Sequence, residues 1–248
     1  MKNTAQRSGW FNVAKPNAYE VLATEYYDSA SHPTCADFRE ASKKAFSFIA
    51  KKFPDTCERA IEVGAGKSLL AETLYEQNKN ISGLTLTDAS HGMLRHSQKY
   101  IEYGARLLVA NAMSLPLRDA TYDCVTASLG DPYNTDQFWR EISRITKTEA
   151  LVLFTTPSFE WANNFRSASI NEAQDKAMFI DRSGTVTYLD SFIYSEIEQI
   201  EKIQSNGFSV EEIIRIRPTD ITQIRSIKLT ATKECNDPFL TAYVVLRN

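Results

Sequence analysis

The sequence predicts an α/β protein, and three observations predict it. An apolar run enters a glycine turn at Gly64-Ala65-Gly66 and a run with helical spacing leaves it. A second apolar run ends on a lone acid, Asp88. Three more strand-like runs follow, with a helical stretch between the last two.

Taken in chain order, residues 1–55 are polar and aromatic at first and then helical over 35–52, where Phe38, Ala41, Ala45, Phe46 and Ile49 supply a packing face. Pro54-Asp55 ends that helix. Residues 59–63 read as a buried strand and 68–74 as a helix, with Gly64 and Gly66 giving a turn that lets backbone approach a ligand closely. Strands are expected at 84–87, 106–109, 124–128 and 151–155, and a helix at 137–145. Residues 158–195 form a long aromatic-rich connection, of a length that compact domains reserve for functional segments. A helix over 196–205 stops at Asn206-Gly207, and 210–216 and 240–246 are the last two strands.

The glycine turn has three readings. Gly66-Lys67-Ser68 looks like the end of a phosphate-binding loop, but that motif needs a glycine where Ile61 stands. A dinucleotide turn needs a third glycine where Leu69 stands. Taken alone, the turn is an ordinary connection between a strand and a helix.

The segments after it change the balance. Glu62-x-Gly64-x-Gly66, then Asp88-x-Ser90-x-x-Met93-Leu94, then Asn111-Ala112 leading through Leu115-Pro116-Leu117 to Asp119 and Tyr122-Asp123, then Phe138-Trp139-Arg140-Glu141-Ile142, occur in a fixed order. Over roughly residues 56–157 the chain resembles the class I S-adenosylmethionine-dependent methyltransferases. The resemblance implies a Rossmann-like, seven-stranded, mostly parallel sheet with helices on both faces and an antiparallel last strand. It also implies S-adenosylmethionine as cofactor. Gly64, Ala65 and Gly66 would hold its amino and carboxylate groups, with Glu62 near the methionine end and Ser128 beside it. Asp88 and Ala89 would meet the ribose, and Met93, Asn111 and Ala112 the adenine. The family usually has Asp where Asn111 stands, and Asn offers the adenine amino group an uncharged acceptor. By the same resemblance, residues 1–55 form a helical lid and 56–248 the catalytic domain, with 158–195 inserted on the substrate side.

The acceptor should approach at the turn after the fourth strand. Asp131-Pro132-Tyr133-Asn134 stands there and is similar to the D-P-P-Y loop of amino-directed nucleic-acid methyltransferases, with one proline missing. Asp131 is therefore the first catalytic candidate, with Pro132, Tyr133 and Asn134 at the acceptor. Tyr27 from the lid and Trp161 from the insertion join them as substrate-side candidates. The chain has three histidines, and His32 is the candidate base if the N-terminal segment folds over the site.

A net charge of −3 leaves no basic footprint for nucleic acid. Cys35, Cys57, Cys124 and Cys235 are scattered, which supports neither a zinc site nor a disulfide framework. No signal-length apolar run or membrane span is visible, so a cytoplasmic protein with no metal is expected. The expected acceptor is a small molecule, methylated at nitrogen or oxygen; methylation of a nucleic acid or protein, and cofactor binding without catalysis, are the alternatives.

Overall fold

The computed structural model describes residues 17–167, 175–230 and 237–248. Most of the lid and of the insertion fall within these ranges, whereas residues 1–16, 168–174 and Cys235 lie outside them.

The lid begins with α1 (Ala18–Leu22), capped by Asn17, followed by tight turns and α2 (Pro33–Phe48). The second helix starts two residues before the sequence pattern indicated, because Pro33 occupies its first turn, where a missing N–H costs nothing. The core then alternates as expected: β1 (Ala60–Val63), α3 (Leu69–Glu76), β2 (Thr85–Asp88), α4 (His91–Leu94), β3 (Arg106–Val109), β4 (Tyr122–Ala127), α5 (Asp136–Ile145) and β5 (Thr146–Pro157). The insertion folds as α6 (Phe159–Ser167) and an antiparallel hairpin, β6 (Lys176–Ile180) with β7 (Val186–Asp190). Then come α7 (Glu196–Ser205), β8 (Phe208–Ile216), the short α8 (Ile227–Thr230) and β9 (Leu240–Arg247).

The main sheet has seven strands in the order β3-β2-β1-β4-β5-β9-β8. Pairings from β3 through β5 are parallel, while β9 runs antiparallel to both β5 and β8. Side chains alternate across it with period two. Cys124, Leu153 and Val244 face α2 and α3, and Val125, Val152, Phe154 and Val245 face α5 and α7. Both faces are therefore covered, which is why these strands read as nearly continuous apolar runs.

The strand order reverses between the parallel neighbours β1 and β4, where connections depart to opposite sides and leave a crevice at the strands' carboxyl ends. The residues that terminate β1, β2 and β4 all open onto it. Among the described residues no helix is long and apolar enough to cross a membrane.

One interior tie fixes the turn after β4 against α7. Asn134 is fully buried; its amide donates to Gln199 Oε1 at 2.7 Å and to the Phe192 carbonyl at 3.1 Å, and its oxygen accepts from Trp139 Nε1 at 2.9 Å. Asn134→Ala leaves the Trp139 and Gln199 groups without these partners in the interior. We expect it to lower stability by about 2–3 kcal/mol in urea unfolding. A change within the error of the wild-type midpoint would show that the tie is dispensable.

Candidate functional site

The site begins with a buried carboxylate. Glu62, on β1 and fully buried, accepts from the Ser68 hydroxyl, from the backbone N–H groups of Leu69 (3.3 Å) and Leu70 (3.1 Å), and from Ser128 Oγ (3.0 Å). Ser68 in turn caps α3 by accepting from Ala71 N at 2.9 Å. A helix N-terminus is a ready anion site, and here the chain's own carboxylate fills it. Burial pushes the Glu62 carboxyl up from its ordinary value, opposed by these donors.

The other turn amides are also taken. Ala65 N donates to Thr87 O (2.7 Å), Gly66 N to Asp88 Oδ2 (3.0 Å), Lys67 N to Tyr27 Oη (2.7 Å) and Ser68 N to Ser97 Oγ (2.8 Å). From Ala65 to Ala71 every amide has a protein partner, so no cluster of N–H groups is left to cradle a phosphate. Gly64 and Gly66 both have positive φ, at +66° and +43°. A Cβ at Gly64 would land on the Tyr133 hydroxyl, and one at Gly66 on the Tyr27 hydroxyl.

Two tyrosines thus occupy the space the glycines open. The Tyr133 hydroxyl donates to the Val63 carbonyl at 2.9 Å. Tyr27 sits edge-on to His96 with ring centroids 4.8 Å apart. The lid that carries Tyr27 is fastened on the α4 side. Glu20 accepts from Ser90 Oγ (2.6 Å) and Gly92 N (2.9 Å), and His96 Nε2 meets the Ala23 carbonyl at 2.7 Å.

Around the glycine turn lies a cavity of about 120 Å³, bordered by Glu62, Gly64, Ala65, Asp88, Ala89, Met93, Ser128 and Tyr133. Next to it lies a larger one of about 490 Å³, walled by Phe38, Trp161, Met178 and Phe179, with His32, Asp131 and Ser191 as polar groups. Tyr19, Tyr26, Cys35, Leu129 and Pro132 border both. An open, charged depression of about 670 Å³ between α5 and α7 holds none of the cofactor, acceptor or catalytic candidates named from the sequence.

The structure brings most of those residues together. Tyr27, expected on the acceptor side, lies over the glycine turn instead, and Tyr133 also stands at the smaller cavity. Asn134 lines neither cavity, being spent on the interior tie. Asn111 is exposed, its Oδ1 accepting from Met113 N at 2.9 Å, and neither it nor Ala112 borders the smaller cavity. Asp131 is buried and accepts from Ser191 Oγ at 2.6 Å, and His32 Nε2 lies 3.1 Å from Glu25 Oε1.

Sequence reasoning missed Glu20, Glu25 and Ser191, whose partners are distant in the chain, and Leu129. Leu129 has φ +52°, a conformation that costs a branched residue energy. It is held there by Thr155, which accepts from Leu129 N at 2.9 Å through Oγ1 and from Gly130 N at 2.9 Å through its carbonyl. No sequence signal marks a leucine for that role. Cys35, Cys57 and Cys124 form no disulfide, and no cluster of metal-ligating residues occurs among the described residues.

Residues 61–154 match the model of the methyltransferase domain family. No curated relative matches the chain. Solved structures share the fold at low identity. An S-adenosylmethionine-dependent methyltransferase from Mesorhizobium loti is 14% identical with TM-score 0.58, over 82% of this chain and 98% of that one. A chain from the complex between the Haloferax volcanii Trm112 methyltransferase activator and a methyltransferase is 16% identical with TM-score 0.65, over 93% and 96%. Geranyl diphosphate C-methyltransferase from Streptomyces coelicolor, solved with S-adenosyl-L-homocysteine, is 12% identical with TM-score 0.58, over 82% and 77%.

Burial pushes the Asp88 carboxyl up from 3.8 to about 6, its backbone donors opposing and the charge of Glu20 adding to the rise. A carboxyl raised on folding keeps its proton longer in the folded than in the unfolded chain. Folding stability therefore falls as pH rises from about 4 to about 6 on account of this group. Asp88→Asn removes that dependence. In urea unfolding across this window the wild-type midpoint should drop relative to the variant and then run level above it. A constant offset between the two would contradict the assignment.

Proposed function

Since the chain carries a class I S-adenosylmethionine-dependent methyltransferase domain, we propose that it transfers the cofactor's methyl group to a small, largely apolar acceptor at nitrogen or oxygen. The observation that carries this reading is the pair of adjoining cavities. One is framed by the glycine turn and Asp88, the other is walled largely by apolar and aromatic side chains, Pro132 borders both, and Asp131 lines the larger.

The cofactor carries a methyl group on a positively charged sulfur, and the residues present fit it. Glu62 and Asp88 are carboxylates near one end of the crevice, and no amide cluster competes for a phosphate the cofactor lacks. In this reading Asp88 accepts from the ribose hydroxyls, with Ala89 beside it. The turn Gly64-Ala65-Gly66 carries the methionine end together with Glu62 and Ser128. Met93 flanks the adenine, and Asn111 and Ala112 complete that side once the cavity widens.

Widening is needed, because ligand pockets commonly measure at least about 300 Å³ and the smaller cavity holds about 120 Å³. Tyr27 is the group to move. It belongs to the lid, and the Lys67 amide it occupies is the one amide of the turn bonded to that lid. On the acceptor side Asp131, fixed by Ser191, orients the nucleophile, with Pro132 and Tyr133 shaping the passage and Trp161 the far wall. In-line displacement at a sulfonium asks chiefly for alignment and exclusion of water. The closed aromatic walls and a net charge of −3 favour a small molecule over a nucleic acid as acceptor.

Isothermal titration with S-adenosylmethionine, S-adenosylhomocysteine, ATP and NAD tests this. We expect binding of the two sulfur nucleosides alone, and Asp88→Ala to weaken it by about 1–3 kcal/mol. Asp131→Ala should lower turnover more than cofactor affinity. Absence of binding by the folded protein would remove the reading. Binding with no turnover on any acceptor would leave a cofactor-sensing module instead.

A further inference from the structure

The larger cavity contains a buried imidazole–carboxylate pair that cofactor binding does not use. His32 precedes α2, and its side chain does not cap the helix. Instead Nε2 lies 3.1 Å from Oε1 of Glu25, and both residues are buried, at 7% and 8% exposure. The ring packs against Phe179 of β6 and Tyr26, with centroids 5.8 and 6.5 Å away. When neutral, an imidazole that donates to a carboxylate through Nε2 keeps its lone pair on Nδ1. Among the described residues no protein group bonds that nitrogen, and His32 lines the cavity.

The pair is held from the hairpin. Glu25 Oε2 accepts from the Arg182 backbone N–H at 3.3 Å and lies 3.8 Å from its guanidinium. Arg182 also donates to Ser31 Oγ at 2.9 Å and pairs with Asp28. The charged groups around His32 are therefore Glu25, backed by Arg182 and Asp28, and across the cavity Asp131. Three cations stand at the cavity wall: Lys176, which pairs with Asp190, Arg225, which pairs with Asp37 and Glu40, and Lys228.

We propose that the acceptor is an aromatic or enolic hydroxyl compound, with His32 removing its proton and Glu25 as the residue that positions the His32 ring. This rests on the methyltransferase reading above. A neutral amine carries its nucleophilic lone pair already and gives up a proton only after transfer, so it has no use for a base beforehand. A hydroxyl does have one. The O–H bond breaks with its proton going to Nδ1, and the oxygen pair forms the new bond to the methyl carbon. The bond from that carbon to sulfur breaks with its pair left on sulfur. The products are the methyl ether, S-adenosylhomocysteine and protonated His32, which returns its proton to water.

The test needs no natural acceptor. The protein is first titrated with S-adenosylhomocysteine by calorimetry and then, saturated with it, with 4-nitrophenol at a pH below the free dye's ionisation. The wild-type protein should bind the dye as its yellow phenolate. His32→Gln and Glu25→Gln, checked for folding by circular dichroism, should bind it with the phenolate-to-phenol ratio lowered at least about tenfold, the equivalent of one pKa unit. Glu25→Gln keeps the shape and one acceptor oxygen for the His32 ring, and loses the charge and the second acceptor, which takes the Arg182 amide; a merely structural role for Glu25 would leave the dye's ionisation unchanged. Dye bound neutral by the wild type, no dye binding beside bound S-adenosylhomocysteine, or an unchanged ratio in Glu25→Gln would each overturn the proposal while leaving the methyltransferase reading intact. Failure to bind S-adenosylhomocysteine would remove both.

Discussion

The site depends on one buried carboxylate. Glu62 ends β1, gathers the first amides of α3 through Leu69 and Leu70, and reaches Ser128 at the end of β4. Burying a carboxylate is costly unless donors surround it, and here four donors do so, three from the start of α3 and one from the end of β4. The same contacts explain why Gly66-Lys67-Ser68 does not behave as its letters invite. A phosphate loop works by leaving helix-start amides free, and these are satisfied from within. The crevice is thereby made suitable for a nucleoside without phosphates, by hydrogen bonds rather than by the glycines themselves.

The N-terminal segment borders both cavities. Tyr27 lies on the glycine turn, Tyr19 and Tyr26 border both spaces, and His32 lines the larger one, all within residues 17–32. That segment is tied to α4 through Glu20 and to the hairpin through Glu25, Asp28 and Ser31. Any movement that clears Tyr27 from the turn acts on a segment that also carries His32. The hairpin has a second hold on the site, since Ser191 and Phe192 at its exit bond the Asp131 carboxylate and carbonyl at 2.6 and 2.8 Å.

The core was legible from sequence because period and punctuation determine it. The helix at 196–205 matches residue for residue, and the strand-end residues Glu62, Asp88, Ser128 and Asp131 open onto the crevice as the strand order requires. Where the pattern fell short, the cause is local. β5 begins at Thr146 rather than 151 because polar residues precede its apolar run, with Glu149 at φ +63° interrupting the alternation. Asn134 shows no sign in the sequence of its partners Gln199 and Phe192, and its place in a turn suits a ligand contact equally well. Glu25 and Arg182 stand 157 residues apart, and no periodicity connects them. Interior elements were readable, whereas the lid and insertion contacts that shape the acceptor cavity were not.

Electrostatics also bear on which cofactor the crevice can hold. Glu62, Asp88 and Glu20 lie on or beside the smaller cavity and Asp131 on the larger. Two cations, Arg39 and Lys67, also line the smaller cavity; Arg39 bonds Glu72 and the Lys67 carbonyl and stands 5.6 Å from the Tyr27 ring. The Asp88 carboxyl is pushed up to about 6 and the Glu62 carboxyl is raised as well. Burial is the main cause of both rises. A sulfonium placed beside these carboxyls would favour their ionised forms, including the form of Asp88 that accepts hydrogen bonds from a ribose. Methyl transfer destroys that positive charge, so the product nucleoside loses the attraction that held the reactant. A crevice of this sign thus favours binding of the charged cofactor and departure of the neutral product.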